Sequence, residues 1–278
     1  MKPFYSIAVC TLLLLSSCQQ SFYVADKVNS PGFKKAGEAK LDLSARPQTS
    51  YQDGAHFSYS ADAAYAPINH LGIIASYRVL NNKVNREAYA PAAFFATKYR
   101  YAKYNGQRGD IGAGYFTRIG RKAKYEAYAG YGNGTLKADI SYDSTFSPKP
   151  SQAYTTSYNR FFIQSAVGMS NNYFSIMGGC RYTLHKYYNF KATDPTLKNP
   201  LIPNSTQDFT KESFGFVEPY FEVQVGYKYV KFNYQIGFPF QANGPSLAGV
   251  HGAPYMSFGI LMHYDPGFFL PKKLVRRK

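Results

Sequence analysis

Two adjoining stretches, FVEPYFEVQVGYKY (residues 216–229) and VKFNYQIGFPF (residues 230–240), decide the fold class. In the first, Val217, Phe221, Val223, Val225 and Tyr227 share one face, and Glu218, Tyr220, Glu222, Gln224 and Lys228 share the other. In the second, Phe232, Tyr234, Ile236, Phe238 and Phe240 oppose Lys231, Asn233, Gln235 and Gly237. Apolar residues that recur every second position mark strands with one apolar face.

The same period-two pattern recurs along the chain and predicts strands over 36–46, 56–66, 71–80, 109–119, 123–132, 158–170, 173–187 and 254–264. With the opening pair this makes ten strands, within a range of eight to twelve. The composition agrees: 27 Tyr, 22 Phe and 23 Gly favour strands and turns over helices.

The connections decide between architectures. They alternate long and short: 47–55 then PINH (67–70), 81–108 then Gly120-Arg121-Lys122, 133–157 then Asn171-Asn172, and 188–215 then almost nothing. A soluble β-sandwich has alternating strands too, but it explains neither this rhythm nor structureless loops of such length. Strands of about ten residues with long loops on one rim and short turns on the other describe a closed, antiparallel, up-and-down transmembrane β-barrel. The expected domain plan is a barrel over 36–264 and a basic tail, DPGFFLPKKLVRRK, over 265–278.

The chain opens with MKPFYSIAVCTLLLLSSC (1–18), which has a positive start, an apolar run too short to span a bilayer, and small residues before Cys18. Leu15-Ser16-Ser17-Cys18 resembles the lipobox of bacterial lipoproteins, which implies a signal peptide over 1–17 and lipid, such as palmitate, carried on Cys18. Residues 18–35 then read as a periplasmic tether, because Asn29-Ser30-Pro31-Gly32 is a turn-forming cluster. Cys180 is left without a disulfide partner, and no metal-ligand spacing or cofactor motif is present.

The segments FYVADKVNSPGFKKAGEAKLDLSARP (22–47) and ADAAYAPINHLGIIASY (61–77) resemble the start of a group of outer-membrane β-barrel lipoproteins from Bacteroidetes-type, Gram-negative bacteria. The likeness covers about the first hundred residues and implies fold and location, not an activity. Surface-exported lipoproteins of such bacteria carry acidic residues after the lipidated cysteine, whereas Gln19, Gln20 and Ser21 follow here. The resemblance thus implies an inner-leaflet anchor, which agrees with the two periplasmic termini that the even strand count and loop lengths predict.

The formal charge of +16 falls to +15 once Lys2 leaves with the signal, and favours anionic lipid, lipopolysaccharide or acidic glycan over nucleic acid for an exported chain. Lys98, Tyr99, Arg100, Tyr101, Lys103 and Tyr104 alternate bases with aromatics and form a candidate glycan or lipid A contact. Glu126, Arg181, Glu218, Glu222 and Arg118 fall on inward positions and are candidates for ion pairs in the lumen. His56-Phe57-Ser58 is similar to the His-x-Ser pair of outer-membrane lipid A deacylases, but strand parity turns it inward, away from lipid. Omptin-type barrel proteases need an Asp pair facing a His-Asp pair, and the sequence has neither dipeptide. The expected role is therefore non-enzymatic: structural or binding, through the outer loops or within an envelope complex. A narrow pore, and a lipopolysaccharide-modifying or glycan-binding barrel, are the alternatives.

Overall fold

The computed structural model describes residues 23, 25–49, 55–89, 97–120, 123–144, 149–193, 208–244 and 254–265. The signal segment, Cys18 and residues 266–278 of the basic tail lie outside the described residues. Eleven strands form one sheet: β1 (Ala39–Thr49), β2 (Ala55–Ile68), β3 (Leu71–Tyr89), β4 (Thr97–Ile119), β5 (Ala123–Ser144), β6 (Lys149–Ser170), β7 (Phe174–Ala192), β8 (Ser213–Gly226), β9 (Val230–Gly237), β10 (Phe240–Asn243) and β11 (Tyr255–Tyr264). Each pairs antiparallel with its neighbour, and β11 closes the circle between β9 and β1. β9 and β10 form one stave interrupted at Phe238-Pro239, since both pair with β8 and the Phe238 N–H still donates to the Pro219 carbonyl at 2.9 Å. Proline lacks the N–H that a ladder needs, which accounts for the break. The result is a closed antiparallel barrel of ten staves.

The two faces are reversed relative to a soluble protein. Leu43, Tyr59, Ile73, Ile111, Ile163, Phe221, Phe232 and Phe258 point outward and are exposed, while Asp62, Arg78, Asp110, Arg160, Arg181 and Glu218 point inward and are buried. An outward apolar band on a closed barrel is how strands cross hydrocarbon without leaving backbone groups unpaired. Among the described residues no helix is long and apolar enough to cross a membrane; the crossing is made by strands.

Short turns gather at one rim. Asn69-His70 links β2 to β3, with His70 at φ 69°, and Gly120 leaves β4 at φ 63°. In the β6–β7 turn, Asn171 Oδ1 accepts from the Tyr173 and Phe174 N–H groups at 2.8 and 2.7 Å, so the turn takes three residues where the sequence suggests two.

At the other rim, the described parts of two segments read from the sequence as long loops are strand. Residues 81–89 and 97–108 continue the β3–β4 ladder to Tyr89↔Thr97, and residues 133–144 and 149–157 continue the β5–β6 ladder to Tyr142↔Lys149. Beyond the membrane both faces of a hairpin meet water, so apolar alternation stops while backbone pairing continues. That is why the pattern ended before the strands did. The 23 residues of β4 rise about 55–60 Å at ~3.3 Å per residue and ~40° tilt, roughly twice an apolar band of ~25 Å.

One expectation is overturned. The segment read as a periplasmic tether is not outside the barrel: residues 25–33 lie inside it, with Val28 and Phe33 fully buried. The lumen is lined with polar side chains that the wall pairs only in part, and a chain rich in backbone donors and acceptors supplies further partners where apolar packing cannot.

Candidate functional site: a lumen filled by the N-terminal segment

Ten staves about 4.8 Å apart and tilted ~40° give a backbone radius near 10 Å, and inward side chains reduce the bore to roughly the width of one extended chain. The N-terminal segment occupies that bore, and its contacts ascend from the short-turn rim. At the rim, the Gly37 N–H donates to the Ala66 carbonyl at 2.7 Å and the Ala36 N–H to Asn69 Oδ1 at 2.9 Å. One turn inward, Gly32 (φ 55°) donates to Glu126 Oε2 at 2.6 Å and accepts from Lys124 Nζ at 2.6 Å. Phe33 packs against Ile74, Phe116, Tyr128 and Phe162. It fits because Gly72 faces it: a Cβ there would come within 2.7 Å of the Tyr128 hydroxyl and 3.2 Å of the Phe33 ring.

Higher up, Asn29 Nδ2 donates to the carbonyls of Ala63 and Ala75 at 3.1 and 3.2 Å, and its own carbonyl accepts from Gln164 at 2.7 Å. Gln235 grips Val28 as a neighbouring strand would: its Oε1 accepts the Val28 N–H at 2.6 Å and its Nε2 donates to the Val28 carbonyl at 3.0 Å. The same Nε2 donates to Glu222 at 2.7 Å, and Tyr255 donates to Oε1 at 2.9 Å.

Charged groups hold the upper half. Lys27 pairs with Asp42, and Asp26 with Arg108. Arg78 and Arg181 donate to the carbonyls of Lys27 and Asp26, each at 2.9 Å. On the wall, Arg108 and Arg160 share Asp110 at 3.0 and 2.8 Å, and Arg78 pairs with Asp62 at 2.7 Å. At the top, Tyr23 stacks on Phe216 with centroids 3.7 Å apart and meets His185 edge-on. Its hydroxyl donates to Glu218, which also accepts from Arg181 Nε at 2.9 Å.

Of the inward candidates, Arg181 and Glu218 form a buried ion pair. Glu126 holds Gly32, and Glu222 accepts from Gln224 and Gln235. Arg118 is exposed near the short-turn rim rather than buried in the lumen. Sequence reasoning missed Asp26 and Lys27, because residues 23–35 carry no period; Gln235 fell on the polar face of its strand, but its part in holding Val28 was not foreseen. The one available signal was the run of inward glycines on β4 and β5 (Gly112, Gly114, Gly130, Gly132, Gly134), which leave room beside the wall.

The stretch from Lys98 to Tyr104 lies in β4, paired with both β3 and β5, and not in a loop. The side chains of Lys98, Tyr99, Arg100 and Tyr101 lie outside the described residues. Lys103 is half-buried, and Tyr104 is 5% exposed within a cluster that includes Leu136 and Tyr187, which removes it from any surface contact. Ser58 is buried and inward, its hydroxyl accepting the Asn81 N–H at 3.4 Å; the His56 side chain lies outside the described residues. Cys180 is exposed on the outward wall. Among the described residues no group of three or more His, Cys, Asp or Glu is placed to hold a metal ion.

No family model and no curated protein matches the chain. Solved structures with which it aligns are outer-membrane barrels. The attachment invasion locus protein Ail of Yersinia pestis aligns at 10% identity and TM-score 0.30, over 82% of this chain and 99% of that one. The outer membrane protease OmpT of Escherichia coli aligns at 10% identity and TM-score 0.44, over 82% and 92%. Ail in complex with the heparin analogue sucrose octasulfate aligns at 12% identity and TM-score 0.31, over 82% and 99%.

Proposed function

We propose that this chain is an outer-membrane β-barrel lipoprotein, lipidated at Cys18, whose lumen is closed by its own N-terminal segment. It works by binding or scaffolding at its outer hairpins, within an envelope complex. The observation that carries this reading is the occupied bore: hydrogen bonds and ion pairs from the wall hold residues 25–32 along its length. A bore that admits one extended chain and contains one leaves no aqueous path, so solute passage is not the task of this state.

A closed channel leaves the outer surface, where β3–β4 and β5–β6 stand well above the membrane. With a charge of +15 on the mature chain, that surface favours lipopolysaccharide and other polyanions. Planar-bilayer recording tests the reading: purified full-length protein gives no conductance steps, whereas a variant lacking residues 22–35 does. Steps from the intact protein would sink it. Native pull-down from outer membranes then identifies the companion, and loss of labelled palmitate in Cys18→Ala checks the anchor.

A further inference from the structure

We infer that the chain preceding Tyr23 leaves the barrel through the mouth that carries the long hairpins, so that the lipid on Cys18 is held at the outer face of the membrane and not in the inner leaflet. The position of the lipid rests on the lipoprotein reading above; the exit of the chain does not.

The direction of the segment is fixed by its partners. Gly32 meets Lys124 and Glu126, which follow β5 inward from the short turn at Gly120. Lys27 and Asp26 meet Arg78 and Arg181, each seven residues from the short-turn ends of β3 and β7 at Leu71 and Phe174. Tyr23 meets Phe216, ten residues from the short-turn end of β8 at Gly226. The chain therefore climbs from one mouth to the other, and at ~3.3 Å per residue and ~40° tilt Tyr23 stands about 25 Å above the periplasmic rim.

Tyr23 lies five positions after Cys18, and five fully extended peptide steps reach at most about 17 Å. That is too short to return to the periplasmic leaflet, and the bore already holds one chain. The opposite mouth is close. Tyr255, in the same buried cluster as Tyr23, is the first residue of β11, and β8 begins at Ser213, three residues beyond Phe216. A climb of roughly 10 Å clears this low side of the wall, within reach of the same five steps. The barrel would thus carry its N-terminus outward as it folds, which requires no acidic sorting signal after Cys18.

The test uses the full chain in cells. A short epitope between Gln20 and Ser21 is probed with antibody before and after the outer membrane is permeabilised. An epitope in the Asn171-Asn172 turn serves as the periplasmic control. Heat-modifiable migration on gels reports folding. Should the insertion block folding, Ser21→Cys in a Cys180→Ser background is probed with a membrane-impermeant maleimide instead. The inference expects equal reaction in intact and permeabilised cells, with the control silent until permeabilisation. Reaction only after permeabilisation, or none even then, overturns it. Loss of the anchor reading appears separately, as no palmitate on the wild-type chain, and leaves the exit measurement standing.

Discussion

Glu218 is the point at which wall and N-terminal segment are tied together, and Glu218→Gln isolates that role. The carboxylate is fully buried and accepts from Arg181, from Thr183 at 3.2 Å and from the Tyr23 hydroxyl. Glutamine keeps the shape but removes the charge, leaving the buried Arg181 guanidinium without its anion. Breaking such a pair from one side costs about 3–5 kcal/mol, whereas replacing both partners by apolar groups is close to neutral. For a chain of this size each kcal/mol shifts the midpoint by about 2–4 °C, so Tm is expected to fall by roughly 10 °C. Thermal unfolding in detergent, followed by circular dichroism, measures the shift. Arg181→Met combined with Glu218→Gln should recover at least half of it. A single variant within about 1 kcal/mol of wild type, or a double variant no better than the single, would refute the assignment of a buried pair.

Gly32→Ala should lower stability by about 1–2 kcal/mol through backbone strain alone, because φ is +55° and the nearest atom to an added Cβ is 3.6 Å away. Gly32→Asn should cost less, and equal losses in the two unfolding curves would argue against a conformational cause. His185 is buried among Tyr23, Tyr158, Tyr187 and Phe216, and neither ring nitrogen has a hydrogen-bond partner among the described residues. His185→Phe is therefore expected to match or exceed wild-type Tm; a loss above about 2 kcal/mol would reveal a polar role for the imidazole. Neutralising Lys98, Arg100 and Lys103 together should weaken binding to lipopolysaccharide and flatten its dependence on salt, as measured by titration at two ionic strengths.

The staves were legible because lipid imposes a rule that sequence records directly: an outward residue must be apolar, so Leu41, Leu43 and Ala45 alternate with Asp42, Ser44 and Arg46. Where lipid ends, the rule ends, and β4 from Thr97 to about Arg108 could not be told from a loop. The lumen was half legible. Parity placed Arg181 and Glu218 inward, yet Tyr23, whose hydroxyl donates to Glu218, lies 195 residues away in a segment with no period. A plug is held by backbone groups, such as the carbonyls of Asp26, Val28 and Gly32, and every residue type offers those. Apart from the inward glycines of β4 and β5, side-chain pattern therefore carries no trace of it.

The order in which the chain is made gives the threaded segment a further consequence. It is synthesised before any stave, and β1, the next element, is half of the seam that joins the first stave to the last, where it meets β11. The wall must then be wrapped around a peptide that is already present, because a closed bore of one-chain width admits no later entry. Nine staves reach that peptide by hydrogen bond or ion pair. A stave that slipped by one residue would swing its charges toward lipid and also lose its grip inside. The segment thus acts as a gauge against which each strand's register is checked as the barrel closes.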